Sequence, residues 1–317
     1  MTLRGVIPIL ATPFHDDETL DLESWTRLVS FMVDLCVDGV TILGVLGESN
    51  RLRDEERATL ISTAVAVVNG RVPVIVGTSH SGTRVVQELS RSAQDLGADA
   101  VMLTPAKEPV PNDDRIVELY QRVAEGLDIP IILQDHPAST DVHMSAALIL
   151  RLLRSVPAIH CVKEEAVPTA PKIRQLRDGF DERPISILTG LGALYAPFDL
   201  EAGSDGFNTG FAFPEVLMAM VGAARSSDWQ RVHELYSWFA PLIVFEQQPG
   251  VAIRKELLRR RGLLASARAR HPGATISAPA ARQLDLLLER TLPGADLTRP
   301  IQIDQIIRNR VGAFEGA

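Results

Sequence analysis

Short, nearly continuous apolar runs recur along the chain. They fall at residues 5–10, 40–43, 72–76, 100–103, 129–133, 159–163, 185–188 and 206–209. Runs rich in β-branched residues that do not alternate with polar ones fit strands buried on both faces. Between them lie stretches with helical periodicity, such as 22–35, 54–68, 83–96 and 113–125. Asp21 and Asp54 stand where helix caps are expected. Glycine and proline punctuate the junctions, at Gly39, Gly70, Gly97, Pro130 and Pro157. Eight strand–helix units in the first 226 residues predict an α/β fold, a (β/α)8 TIM barrel. An open doubly wound sheet would carry a GxGxxG turn after its first strand, and this chain has none there. Beyond Phe213 and Pro214 no further strand is evident. Residues 214–224, 228–245, 251–261, 278–292 and 301–311 read as helices, so 227–317 is expected to form a C-terminal helical region packed on the barrel.

Composition narrows the function classes. The chain has 317 residues, 46% of them hydrophobic and 23% charged, which is ordinary for a globular protein. A net charge of −8 gives no basic face for nucleic acid and no attraction to an anionic membrane. No apolar stretch reaches the roughly 18 residues that span a bilayer. The N-terminal apolar run is broken by Pro8 and lacks a small-residue cleavage site. Cys36 and Cys161 form neither a CxxC nor a Cys/His metal spacing. The expectation is a cytoplasmic protein without a bound metal.

Function in such a barrel sits at the C-terminal ends of the strands. The chain carries only four lysines, Lys107, Lys163, Lys172 and Lys255, among 32 basic residues. Lys163 ends an apolar run where a strand should be buried. Burial lowers an amine's pKa, and a neutral amine can attack a carbonyl to form a Schiff base. The alternative is a structural lysine paired with Glu164 or Glu165. His80 and His136 fall at the ends of strands 3 and 5, either as acid/base groups or as solvated loop residues. A metal site from His80, His136 and Asp135 matches no recognised ligand pattern. Glu48 is either an active-site acid or a group that holds the following backbone. Trp229 and Trp238 lie in one expected helix and read as packing.

The opening Gly5-Val6-Ile7-Pro8 with Thr12-Pro13-Phe14, the loop Gly44-Val45-Leu46-Gly47-Glu48-Ser49 and the segment Val162-Lys163-Glu164 together resemble the dihydrodipicolinate synthase/N-acetylneuraminate lyase family. The resemblance covers most of the chain. It implies a class I, metal-independent lyase or aldolase with no cofactor beyond a Schiff base between Lys163 and a pyruvate-like 2-oxo acid. It implies aldol cleavage or condensation, or a related dehydration, and a homo-oligomer, dimer or tetramer. Taken with the residues at the strand ends, the expected site joins Lys163, Gln134 and His136 as catalytic residues with Val45, Leu46, Gly47, Glu48, Gly190 and Thr209 around the substrate.

Departures from the family pattern shape the expected chemistry. Gln134 stands where the family's proton-relaying tyrosine would be, and an amide orients but does not titrate near neutrality. The second family tyrosine is also absent, since that segment reads Thr104-Pro105-Ala106-Lys107. Val45 and Leu46 replace a hydroxyl pair, leaving backbone N–H groups of the loop to hold a carboxylate. Ala138-Ser139-Thr140 lacks the arginine of true dihydrodipicolinate synthases, which disfavours that activity. The missing relay also motivates an alternative, a catalytically silent barrel that binds a small oxo acid as a sensor or partner subunit. Turnover separates the two.

Overall fold

In a computed structural model, which describes residues 3–109, 112–248 and 250–307, eight parallel strands form one sheet. They are β1 (Gly5–Pro8), β2 (Val40–Ile42), β3 (Val74–Gly77), β4 (Ala100–Leu103), β5 (Ile131–Asp135), β6 (Ile159–Glu164), β7 (Ser186–Thr189) and β8 (Gly206–Thr209). Each pairs with its sequence neighbour, and β1 pairs with β8. A bridge between Ile9 and Thr41 brings β1 against β2 and closes the barrel. Asn208 braces that closure from inside, its Nδ2 donating to Ile7 O at 2.9 Å and Thr41 Oγ1 at 2.8 Å.

Strand alternation divides the apolar residues into two cores. Ile7, Ile75, Ala100, Met102, Ile132, Cys161 and Leu188 fill the barrel interior. The alternate residues, among them Val6, Val74, Val101, Leu133, Val162 and Ile187, face the helices in a second, larger core. That outer core runs on without a break into Phe239, Leu257, Leu284 and Ile303 of the C-terminal region. The expected 226/227 boundary falls in the turn Ser226–Ser227 between helices Pro214–Arg225 and Trp229–Glu246.

Several strands sit slightly later than the apolar runs suggest. β3 and β5 start after Pro73 and Pro130, which lack the N–H that a ladder needs. β5 extends through Gln134 and Asp135 because Gln134 finds a polar partner in the barrel's mouth and Asp135 one in the helix layer. Asp21 caps the helix Leu22–Asp34 through a bond from Ser24 N at 2.9 Å. The next helix is capped one residue earlier than expected, by Arg53, with Glu56 closing the capping box. Trp238 packs and donates to Thr291 O at 2.8 Å. The last expected helix is present over 303–307, and its residues 308–311 lie outside the described residues.

Candidate active site

Gln134, Lys163 and Leu188 are hydrogen-bonded neighbours in the ladder. Ile132, Cys161 and Leu188 already face the barrel interior, so the period of two turns Gln134 and Lys163 inward at its C-terminal end. Lys163 is 2% exposed. Glu165, one residue past β6 and two past Lys163, lies on the same side. Its Oε2 stands 3.2 Å from Lys163 Nζ and accepts from Gln134 Nε2 at 2.7 Å. Its Oε1 accepts from Leu191 N at 3.1 Å. Burial lowers the pKa of Lys163, and Glu165 only partly restores it. Burial also opposes the charge on Glu165, but Lys163, His136 and the two donors override it and hold the carboxyl below its ordinary pKa.

The opposite face of the same strands carries a separate charge cluster. Asp135 and Glu164 are paired in register and point into the helix layer, fully buried. Lys172 of the helix Thr169–Gly179 is ion-paired with Asp135 and lies 3.7 Å from Glu164 Oε2. It also donates to Met144 O at 2.6 Å. Burial, reinforced by the Asp135 charge, raises the Glu164 pKa to about 9. Glu164 is thus neutral at pH 7 and separate from Lys163, whose carboxylate partner is Glu165.

The loop after β2 opens with a 3-10 turn over Val45–Gly47, and a second follows over Ser49–Arg51. The N–H groups of Val45 and Leu46 open the first turn and have no acceptor within it. Leu46 packs over Gly210, where a Cβ would overlap its Cδ1. Val45 is 58% exposed, so its side chain adds no apolar wall. Gly47 O accepts from Thr12 Oγ1 at 2.7 Å. The Glu48 carboxylate is engaged by Lys255 Nζ at 2.5 Å, Arg51 Nη1 at 2.6 Å and Arg270 N at 3.0 Å. It thereby ties this loop to the C-terminal region. Thr209 Oγ1 accepts from Gly192 N at 2.7 Å. Gly190 leaves room for a neighbour, since a Cβ there would overlap Glu165 Oε1. Its carbonyl accepts from Ala193 N at 2.9 Å.

His136 Nδ1 meets Ser139 Oγ at 2.6 Å, and its charge acts on Glu165. His80 is exposed, accepts from Gly82 N through Nδ1, and lines a surface groove with Lys107, Asp141 and His143. Asp135 points away from both histidines, toward Lys172. Among the described residues no three His, Cys, Asp or Glu side chains converge as metal ligands would.

Two participants escaped the sequence reading. Glu165 entered it only as an ion-pair partner, although its spacing of two from Lys163 on a strand already placed both on one face. Arg254, from the helix Ala252–Arg260, is buried against the rim, and its charge acts on both Lys163 and Glu165. No local signal marks Arg254, because its helix joins the mouth only through the tertiary fold.

Comparison with known proteins agrees with this geometry. The model of the dihydrodipicolinate synthetase family matches residues 2–291. An L-2-keto-3-deoxyarabonate dehydratase of Azospirillum brasilense is 39% identical over 277 residues, 85% of this chain and 88% of that protein. A 4-hydroxy-tetrahydrodipicolinate synthase of Chlorobium luteolum is 32% identical over 292 residues, 90% of this chain and 97% of that one. The crystal structure of a dihydrodipicolinate synthase from Rhodopseudomonas palustris superimposes with a TM-score of 0.87 at 34% identity, covering 92% of this chain and 99% of that one. Eight parallel strands, a lysine buried at the mouth of β6 and a match that runs through the barrel into the C-terminal helices make this chain a lyase of the dihydrodipicolinate synthetase family.

Proposed function

We propose that Lys163 forms a Schiff base with a 2-oxo acid and that Glu165 carries the protons of the reaction. The observation that supports this is the buried Lys163–Glu165 pair at 3.2 Å, with Gln134 fixing the carboxylate. The amine nitrogen attacks C2, and the carbonyl oxygen leaves as water. The resulting iminium is an electron sink, so a C3 proton can pass to Glu165 and leave an enamine. In a 3-deoxy acid that bears a C4 hydroxyl, the enamine then expels that hydroxyl, which takes a proton from Glu165 and departs as water. The same enamine attacking an aldehyde carbon is the aldol step.

Gln134 cannot titrate, so it orients Glu165 rather than relaying protons. His136 stands at the rim as a second group within electrostatic reach of Glu165. The substrate carboxylate is assigned to the Val45 and Leu46 N–H groups, with Gly47 shaping the turn and Thr209 holding the opposite wall. Glu48 fixes this loop from behind. A dehydratase of a hydroxylated 2-oxo acid is favoured over dihydrodipicolinate synthesis. The 39% identity to the Azospirillum dehydratase supports this, as does the run Ala138-Ser139-Thr140, which offers no cation after β5. The chemistry draws on the lysine alone as electron sink. We assign the protein to a reducing cytoplasm, in keeping with its free thiols Cys36 and Cys161, and to a homo-oligomer as its family resemblance implies.

Borohydride reduction in the presence of pyruvate, read by peptide mass spectrometry, tests the assignment. A reduced adduct on Lys163, absent in Lys163→Ala, is expected. An adduct on another lysine, or none with pyruvate and a panel of longer 2-oxo acids, would overturn it.

A further inference from the structure

Arg254 is a buried cation with few partners. Its side chain is 10% exposed, and its one ion pair among the described residues, Nε to Glu246 Oε2, is long at 3.5 Å. That Nε has no hydrogen-bond acceptor among the described residues. Glu246 itself is turned toward Ala212 N, which donates to both its oxygens at 3.2 and 3.4 Å. A guanidinium has five N–H donors in a planar fork. Leaving the buried Nε–H without an acceptor is costly unless something else fills it. Beside it, Gln247 Nε2 is also buried without an acceptor among the described residues. Both side chains converge over Gly192, where a Cβ would overlap Gln247 Nε2 and stand 3.2 Å from Arg254 Nη2. Gly192 N in turn donates to Thr209 Oγ1. Two unfilled donors from the C-terminal helices thus meet the rim between β7 and β8, within reach of the charges on Lys163 and Glu165.

We propose that Arg254 and Gln247 form a recognition arm for the hydroxylated end of the 2-oxo acid, remote from the carbonyl. The inference rests on the reading that Lys163 engages that carbonyl. Charge selects hydroxyls over a second carboxylate. Arg254 already faces Glu165 and Glu246, and burial pushes Glu246 up to about 7, so another carboxylate would add charge that this buried place already disfavours. A hydroxyl oxygen accepts from the fork without adding to it. The arm explains how a site that lacks the family's tyrosines can still distinguish a sugar-derived acid from pyruvate.

Calorimetric titration of the full chain in a Glu165→Gln background, where the longer acid is bound but not turned over, with pyruvate and with L-2-keto-3-deoxyarabonate tests the arm. With Arg254 in place the longer acid binds more tightly. Arg254→Met weakens it roughly tenfold to a hundredfold more than it weakens pyruvate, the loss of one or two bonds to a charged donor, because any effect through the Lys163 amine falls on both acids alike. Gln247→Ala acts in the same direction to a smaller extent. Arg254→Lys keeps the charge opposite Glu246 but not the fork, and recovers only part of the difference. Equal weakening of both acids, or no change in either, overturns the proposal, because a merely structural ion pair would not discriminate. Borohydride trapping on the same samples separates the two readings. If no lysine is trapped but discrimination follows Arg254, the Schiff base is wrong and the arm stands. If Lys163 is trapped but discrimination ignores Arg254, the arm is wrong.

Discussion

Replacing Glu165 by glutamine separates imine formation from proton transfer. Glu165 is the only carboxylate paired with Lys163 among the described residues, at 3.2 Å in a buried site. At an effective dielectric of about 20, two unit charges at that distance attract by about 5 kcal/mol, a ceiling of some 4 pH units on the amine. The glutamine dipole and local water return much of this, so a fall of at least about one unit in the Lys163 pKa is expected. The sign is fixed. Losing the anion disfavours the ammonium, and Arg254 pushes the same way. The rate of borohydride trapping with pyruvate, followed from about pH 5 to 10, should therefore reach its plateau at lower pH in Glu165→Gln than in wild type. Turnover should drop by about 10² to 10⁴, the usual worth of a positioned acid–base group. A trapping profile that superimposes on wild type, or turnover that survives within about tenfold, would refute the assigned role of Glu165.

Other consequences concern the surrounding charges. Glu164→Gln should be tolerated, because the pKa raised to about 9 makes the native group neutral, as the amide is. Stability of the wild type should fall as pH rises from the unfolded value toward 9, since the unfolded carboxyl releases its proton first, by up to about 1.4 kcal/mol per unit. Denaturant midpoints at several pH values should show a shallower slope in Glu164→Gln. Lys172→Met strands Asp135 without its cation and should cost about 3–5 kcal/mol, read in the same unfolding series; a loss below about 1 kcal/mol would contradict the cluster. Lys255→Met removes a buried partner of Glu48 and should lower Tm by several degrees while loosening the β2 loop. Gly190→Ala drives a methyl into Glu165, so kcat should fall far more than thermal stability, and equal losses would argue that Gly190 only shapes the backbone.

Much of the architecture was written in local pattern. Apolar runs without alternation can be buried on both faces only as parallel strands covered by helices, and eight of them in succession leave the barrel as the economical closure. A lysine at the end of such a run stands out because nothing in a strand core holds a charge unaided. Strand ends were less legible. Gln134, Asp135 and Glu164 read as the start of loops, yet they continue the ladder because the mouth and the helix layer each supply polar partners.

What the sequence alone determined was the barrel and the position of Lys163 at the end of a buried strand; the register that sets Gln134 beside Lys163 came with the closed sheet. The tertiary structure decided which acid answers that lysine. Glu164 and Glu165 are adjacent in the chain and equivalent in composition, but a strand sends successive side chains to opposite faces. One meets Lys172 in the helix layer and keeps its proton; the other meets Lys163 in the barrel and loses it. The tertiary fold also brought Arg254 and Gln247 to the mouth and turned Glu48 back toward Lys255 and Arg270. Those contacts join segments far apart in sequence, and no local pattern encodes them, because they exist only once the C-terminal helices have packed on the closed barrel.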